Sequence, residues 1–472
     1  MAKPSINAKL QDITPYRQQI LSQPLAQGIS YQEVQDHLAN LPRSRFPQTA
    51  YNNKGSSPLI QPRGGFSTFE AQLELTKQLY SAGADFIPLT IDSCTRQNQY
   101  DTAANLLQRS EEEEKDYLNG YPLITHGYEI TRELYRNIDR PISLRHGTPD
   151  ARLLVEVAIA SGITEIEGGG ICYCLPYSEG FPLDRSLLYW QYVDRICAEY
   201  STKDAPIHRE SFGPLSATLV PPAIAVAIQI IEALLAAEQG VTSFAVSFGQ
   251  TGSMIQDLAT AKVLRKLTRT YLNQFGFKAV RTYLVYHQWM GQFPPQREKA
   301  AALIVGSTII SSIISADKVV VKTVNEALGV PAAEVNAEAT STVQYVLERF
   351  RYGDIPTESL TSPQIERETA LIESETKTIL QTIFDLSGDA FWESVFRAFQ
   401  LGYLDVPFSP HNDNANKLIS MRDANGSIRI LEKGNVPISD QDAEIEKSLL
   451  ASKHNKSDKT YQQLLADINI MV

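Results

Sequence analysis

With 472 residues, 43% of them hydrophobic, the chain is long enough to bury a large core and exceeds what one typical domain needs. A net charge of −11 argues against a nucleic-acid partner, which favours a basic surface, and means that a small dicarboxylate is attracted only by a local positive cluster. Four cysteines in so long a chain make no disulfide framework, and the polar stretch Met1–Ile20 shows no secretory signal, so a reducing cytoplasm is expected.

Residues 1–55 read as an N-terminal helical extension, with helical spacing at Tyr31–Leu41 and turn formers through Pro47–Pro58. Eight apolar runs then read as strands, at about 57–62, 85–91, 141–146, 163–167, 206–211, 242–248, 280–286 and 317–322. Most are short and bounded by Gly, Pro or Asp, as suits strands covered on both faces. Helical patterns alternate with them at Thr68–Ala82, Asp150–Ser161, Pro222–Gly240, Ser253–Phe275 and Gln296–Ala316. The alternation predicts an α/β fold, a (β/α)8 TIM barrel over residues 56–355 that ends after a helix at Ala332–Tyr352. Ala223–Ala237 contains Gln229 and Glu232, and Ala300–Ala316 contains serines. Both runs fall short of the ~20 residues of a membrane span and are expected to be buried helices, with no membrane partner.

The connection from Asp92 to Arg140 is long for a crossover, and long loops at a barrel mouth often bind ligand. Its glutamate run, Glu111–Glu114, reads as a solvated helix start. Residues 356–472 read as a C-terminal α+β extension: an amphipathic helix at Glu366–Leu386, a hairpin at Ile419–Leu431 turning at Asn425-Gly426, and exposed helices over 440–472.

The informative motifs fall at the strand ends. Three apolar runs lead closely into an arginine: Leu59-Ile60-Gln61-Pro62-Arg63, Ile91-Asp92-Ser93-Cys94-Thr95-Arg96 and Ile142-Ser143-Leu144-Arg145-His146. A fourth ends as Ile166-Glu167-Gly168-Gly169-Gly170. In a parallel barrel the carboxyl ends of the strands meet at one mouth, where chemistry sits. Three guanidinium groups there would trap a small polyanion, because the planar fork binds carboxylate bidentately. Each arginine taken singly also reads as a surface ion pair. Glu167 reads either as a buried proton-transfer group or as a cap on the glycine loop, and Glu165 shares its strand parity.

Three further features stay open at this level. Cys172-Tyr173-Cys174 lacks a second cysteine pair or a histidine cluster, which disfavours a metal, while Tyr173 and Tyr177 could bond a ligand or pack the loop. His287–Pro294 reads either as an exposed aromatic and methionine surface for a large planar partner or as core. Lys322 could form a Schiff base, contact a nucleoside or pair with Glu326. A Schiff-base aldolase and a non-catalytic dicarboxylate-binding barrel are therefore alternative readings.

Taken together the segments resemble the family of the epsilon, or barrel, subunit of glutamate mutase, also called methylaspartate mutase. The resemblance is carried by Gln61-Pro62-Arg63, Thr95-Arg96-Gln97-Asn98, Asn119-Gly120, Arg145-His146-Gly147-Thr148-Pro149-Asp150, Glu167–Gly170, Phe212-Gly213-Pro214, Thr218–Pro222, His287–Met290, Lys322-Thr323 and Gly434-Asn435-Val436-Pro437. Val330 and Gly64 stand where the family has Ile and Ala. The resemblance implies the radical interconversion of L-glutamate and threo-3-methyl-L-aspartate with adenosylcobalamin. It implies that Arg63, Arg96 and Arg145 grip the two substrate carboxylates with His146 beside them. Glu167 would exchange a proton with the amine, and Tyr173 and Tyr177 would complete the pocket. Gly65, Asn119, Pro176, Phe293, Lys322, Glu326 and Val330 would touch the cofactor. No Asp-x-His-x-x-Gly stretch occurs, so the resemblance places the cobalt on a separate small cobalamin-binding sigma subunit, with this chain forming a homodimer.

Overall fold

The computed structural model describes residues 12–213, 219–350, 361–386, 388–451 and 461–472. Pro214, Thr218, Tyr352 and the expected boundary between residues 355 and 356 lie outside them. Eight strands form one parallel sheet: β1 (Leu59–Gln61), β2 (Ile87–Thr90), β3 (Ile142–Arg145), β4 (Glu165–Glu167), β5 (His208–Glu210), β6 (Ser243–Gly249), β7 (Arg281–His287) and β8 (Lys318–Val320). Each matches an expected run to within two residues at either end. The paired order is β1-β8-β7-β6-β5-β4-β3-β2. Asp85 N donates to Ile60 O at 2.9 Å and Thr90 N to Gly64 O at 3.0 Å, which links the first strand to the second. The sheet is thus a (β/α)8 barrel with its carboxyl ends at one mouth.

Parallel pairing fixes which side chains face inward. Glu165 is in register with His208, and Glu167 with Glu210. Because alternate residues of a strand share a face, these four point to one side, and Arg209 points to the other. Barrel interiors are usually filled by branched apolar residues. Here Ala245, Val285 and Val320 supply only a small apolar cluster, and they share the interior with the charged Glu165, Glu167, Glu210 and Lys318 and the polar pair Gln61–Ser143. At the amino ends of the strands, the helix Pro47–Asn53 brings Tyr51 onto Tyr283, with ring centroids 3.9 Å apart.

The helix Pro222–Glu238 is buried along its whole length. It is apolar all round because it packs against the helices Met254–Gln274 and Pro363–Phe384, not because it meets lipid. No helix among the described residues is long and apolar enough to cross a membrane.

Two expectations are corrected here. Glu111–Glu114 closes a helix instead of opening one: the helix is Tyr100–Glu112, and its buried residues Ala103, Leu107 and Ser110 precede most of the acids. Acids disfavour a helix carboxyl end, and Arg109 offsets this by pairing with Glu113 at 2.7 Å. The run is solvent-exposed, as expected. The last helices, Asp440–Ala451 and Tyr461–Ile468, are not simply exposed. Glu446, Leu450 and Asp467 are buried, and Asp467 accepts from Arg422 N at 2.9 Å. Their anchor is the antiparallel hairpin of β9 (Ile419–Arg422) and β10 (Ile428–Glu432), which turns where Asn425-Gly426 predicted.

Candidate active site

Arg145 ends β3 and Glu167 ends β4, and their inward side chains pair, Nη2 donating to Oε1. The Tyr173 hydroxyl donates to the other oxygen of Glu167. Burial pushes the Glu167 carboxyl above its ordinary range, and Arg145 pulls against that. Burial also weakens the hold of Arg145 on its proton, but Glu167 and Glu210 overcome this and its pKa is raised. Deeper in the barrel, Lys318 pairs with Glu165 and lies 2.5 Å from Glu210 Oε2. Burial lifts Glu165 to about 8.

The glycine loop after β4 explains how Tyr173 gets there. Gly168 sits at φ +119, and a Cβ on it would lie 2.4 Å from the Tyr173 ring. Where a Cβ of Gly169 would stand, 2.4 Å away, is the Glu232 carboxylate. Glu232 accepts from the amides of Ile171 at 2.8 Å and Cys172 at 3.1 Å, tying the loop to the buried helix. Arg209 supports β4 from outside, donating to Ile166 O at 2.6 Å and Gly168 O at 2.9 Å. The signal for Glu232 is a carboxylate inside an apolar helix. For Glu210 and Lys318 it is a charge inside a strand run.

Arg63 and Arg96 are the site's free cations. Arg63 Nη1 lies 3.8 Å from Met290 Sδ, and its buried Nε has no hydrogen-bond partner. Arg96 Nε donates to Ile91 O at 2.6 Å. Neither has a carboxylate at ion-pair distance among the described residues. The pKa of Arg96 is lowered by burial, with Arg63 acting in the same direction. The Arg63 charge also bears on Glu167, Lys322 and Glu326. His146 is buried, stacked on Trp190 at 5.7 Å, and held neutral by burial and by Arg96. Its ring meets that of Tyr173 edge-on at 4.8 Å. Tyr177 is 52% exposed and lines a pocket of about 440 Å³ with Arg96 and Gly147.

The remaining expected residues divide. Lys322 lies two residues beyond β8 instead of ending it, and pairs with Glu326. Burial and then Arg63 lower its pKa to about 8, while Lys322 and Arg63 outweigh burial and hold Glu326 low. Asn119 accepts from Ser93 N at 2.8 Å, and Gly65 sits against Thr90, whose carbonyl oxygen a Cβ would meet at 2.2 Å. Pro176 lies in the loop between Tyr173 and Tyr177, half-buried. The reading of His287–Pro294 as an exposed aromatic surface is corrected. Trp289 is buried, with Arg422 from the hairpin 5.9 Å from its ring, and Phe293 is buried with Lys322 Nζ 5.9 Å from its centroid. Just beyond Lys322 and Glu326 in sequence, Leu328 and Val330 are exposed, at 71% and 61%. Cys172 and Cys174 are buried and packed, Cys174 Sγ lying 3.2 Å from His411 Nε2.

A (β/α)8 barrel whose mouth holds a buried carboxylate, a tyrosine and three guanidinium groups has the form of an enzyme for a small anionic substrate. The chain belongs to the methylaspartate mutase E chain family, whose model matches residues 42–472. It is similar to the glutamate mutase epsilon subunit of Desulfitobacterium hafniense (strain Y51), 37% identical over 458 residues, 96% of this chain and 94% of that one. The subunit of the same name from Escherichia coli O157:H7 is 38% identical over 446 residues, 94% of this chain and 90% of its own length. That from Halobacterium salinarum is 40% identical over 410 residues, 87% and 84%. This membership makes the chain a mutase component, an isomerase, and sets aside the aldolase and the non-catalytic barrel.

Proposed function

We propose that the barrel mouth binds L-glutamate and, with adenosylcobalamin presented by a small cobalamin-binding sigma subunit, interconverts it with threo-3-methyl-L-aspartate. The observation that carries this reading is the pair of guanidinium groups, Arg63 and Arg96, left without a carboxylate beside the Arg145–Glu167 pair. Two free cations answer two substrate carboxylates, and a buried carboxylate answers one ammonium. Arg145, whose fork is shared with Glu167, completes the clamp.

The residues expected to hold the cofactor suit it. Lys322 and Glu326 set a donor and an acceptor side by side, which matches the hydroxyls of a nucleoside. Leu328 and Val330 are exposed, and Gly329 between them, at φ +117, has open space where a Cβ would stand. That is a rim on which a large ring and a partner subunit can rest. When bound, adenosylcobalamin supplies the radical chemistry. The chain's residues hold the carboxylates in place while the carbon skeleton separates and rejoins, and such positioning can contribute ~7–11 kcal/mol. Glu167 takes and returns the amine proton at its Oε1 or Oε2. The aromatic wall of His146, Tyr173 and Trp190 keeps water from the reacting carbons.

The experiment is a three-component mixture of this chain, a sigma-type partner and adenosylcobalamin, followed by sedimentation at the cofactor's visible absorbance. The reading expects the chain to sediment with the partner's colour, and Leu328→Asp with Val330→Asp to release it. Colour that sediments with this chain in the absence of any partner would overturn the two-subunit arrangement.

A further inference from the structure

On the floor of the mouth, buried polar groups converge, and several of their atoms have no hydrogen-bond partner among the described residues. One ligand atom each from Glu167, Glu210 and His287 lie within 4.8 Å of one another, and all three residues are buried. Glu210 Oε1 accepts no hydrogen bond; its neighbours are Arg145 Nη1 at 3.7 Å and His287 Nε2 at 3.8 Å. Both ring nitrogens of His287 and Nη1 of Arg145 are likewise buried without a hydrogen-bond partner. Leaving such groups unsatisfied costs about 1–3 kcal/mol each, and native interiors avoid it. Orphaned acceptors in a ligand site describe the ligand's donors.

We infer that Glu210 and His287 join Glu167 in a three-acceptor seat for the substrate ammonium, and so select an amino dicarboxylate over a plain one. This rests on the proposed glutamate binding. An ammonium carries three N–H donors, one for each acceptor, and the adjoining carboxylate of the same amino acid meets the open Nη1 of Arg145. The elements agree on this arrangement. β4 and β5 are in register at Glu167 and Glu210, and β7 ends at His287. Lys318 of β8 braces Glu210 from behind through Oε2, leaving Oε1 toward the mouth. His287 is held neutral by burial and by Arg145 and Arg63, so it keeps a lone pair to offer. A divalent cation would find the same three atoms, but it would lie against Arg145 and Lys318, whose repulsion of a double charge is twice that of a single one. Glu210 and His287 act on recognition of the substrate, so the change they cause is in selectivity.

The test is calorimetric titration of the full chain with L-glutamate and with glutarate, which has the same two carboxylates on the same carbon chain but no amine. Wild type should bind glutamate more tightly. Glu210→Gln should weaken glutamate by about tenfold or more, the worth of a charged hydrogen bond, while glutarate binding holds or improves. His287→Phe should shift the ratio the same way, and it carries the test if the melting transition shows that Glu210→Gln does not fold. If both variants weaken the two acids in parallel, the seat is wrong and the arginine clamp stands. If neither acid binds wild type, both readings fall. A divalent cation found at about one per chain and lost in His287→Phe would also overturn the seat.

Discussion

Glu165 and Glu167 stand two residues apart on β4, both inward and both buried, yet they have different partners: Lys318 of β8 for Glu165, and Arg145 of β3 with Tyr173 for Glu167. Only Glu167 is joined to the tyrosine and the clamp. Burial lifts Glu165 to about 8, with Lys318 pulling against it, so replacing it by Gln removes less charge than the same change at an ordinary carboxylate would.

The two Gln variants should accordingly diverge. Glu167→Gln retains the shape but cannot exchange a proton, and general acid–base groups contribute ~10²–10⁴-fold. Its kcat should fall on that order, by more than its KM rises, while Glu165→Gln stays close to wild type. Steady-state kinetics of the reconstituted enzyme decide the matter, and a larger kcat loss in Glu165→Gln would reverse the assignment.

Arg145→Lys should be far from conservative. The fork of Arg145 serves Glu167 through Nη2 and faces Glu210 through Nη1, and a lysine has only a point of charge to share. Charged hydrogen bonds are worth about 1.5–3 kcal/mol, so kcat/KM should drop by about tenfold or more. Kinetics matching wild type would remove Arg145 from the clamp.

The stability contributed by three buried carboxyls should decline as pH rises from mildly acid to mildly alkaline. Burial raises Glu165 to about 8, Glu446 to about 7 and Asp257 to about 6, from ordinary values of 4.5, 4.5 and 3.8. Between each ordinary and folded value the native state holds more protons than the unfolded chain. The stability these groups contribute is therefore present at the acid end and lost as pH climbs through the folded value. The buried neutral histidines His146 and His287 act in the opposite sense below about pH 6.5, so the melts should compare wild type with Glu165→Gln from about pH 7 to about pH 8, where the midpoint of the variant should fall less. An unchanged slope in that variant would mean Glu165 is not the group titrating.

Arg429 should be a structural keystone of the C-terminal part. It reaches Glu368 at 2.6 Å, Asp423 at 2.9 Å and Glu446 at 3.7 Å, joining hairpin to helices from a buried position. Removing one partner from a buried ionic group costs about 3–5 kcal/mol because the others are left uncompensated. Arg429→Ala should lose about that much in denaturant unfolding; a loss under about 1 kcal/mol would indicate a solvated, inexpensive pair.

Much of the barrel was legible because its strands are short apolar runs punctuated by Gly, Pro and Asp, and strand ends imply a shared mouth. The arginines at those ends were legible for the same reason. What could not be read is pairing across distant strands. Glu165 and Glu167 have identical parity, and only barrel closure brings Lys318 to one and leaves Arg145 for the other. Trp289 and Phe293 were ambiguous because an apolar cluster after a strand looks alike whether open or covered. Trp289 is met by Arg422 from a hairpin well over a hundred residues later in the chain. Glu232 stood out as a polar break in an apolar helix, but its service to the Ile171 and Cys172 amides depends on a loop from another strand.

The most direct measurement is proton NMR of L-glutamate incubated with this chain, a sigma-type cobalamin-binding partner and adenosylcobalamin. Methyl resonances of 3-methylaspartate should grow in with all three present, and should be absent when the partner is left out. Robust turnover by this chain and cofactor without a partner, or no methyl signal with a competent partner and cofactor supplied, would contradict the assignment.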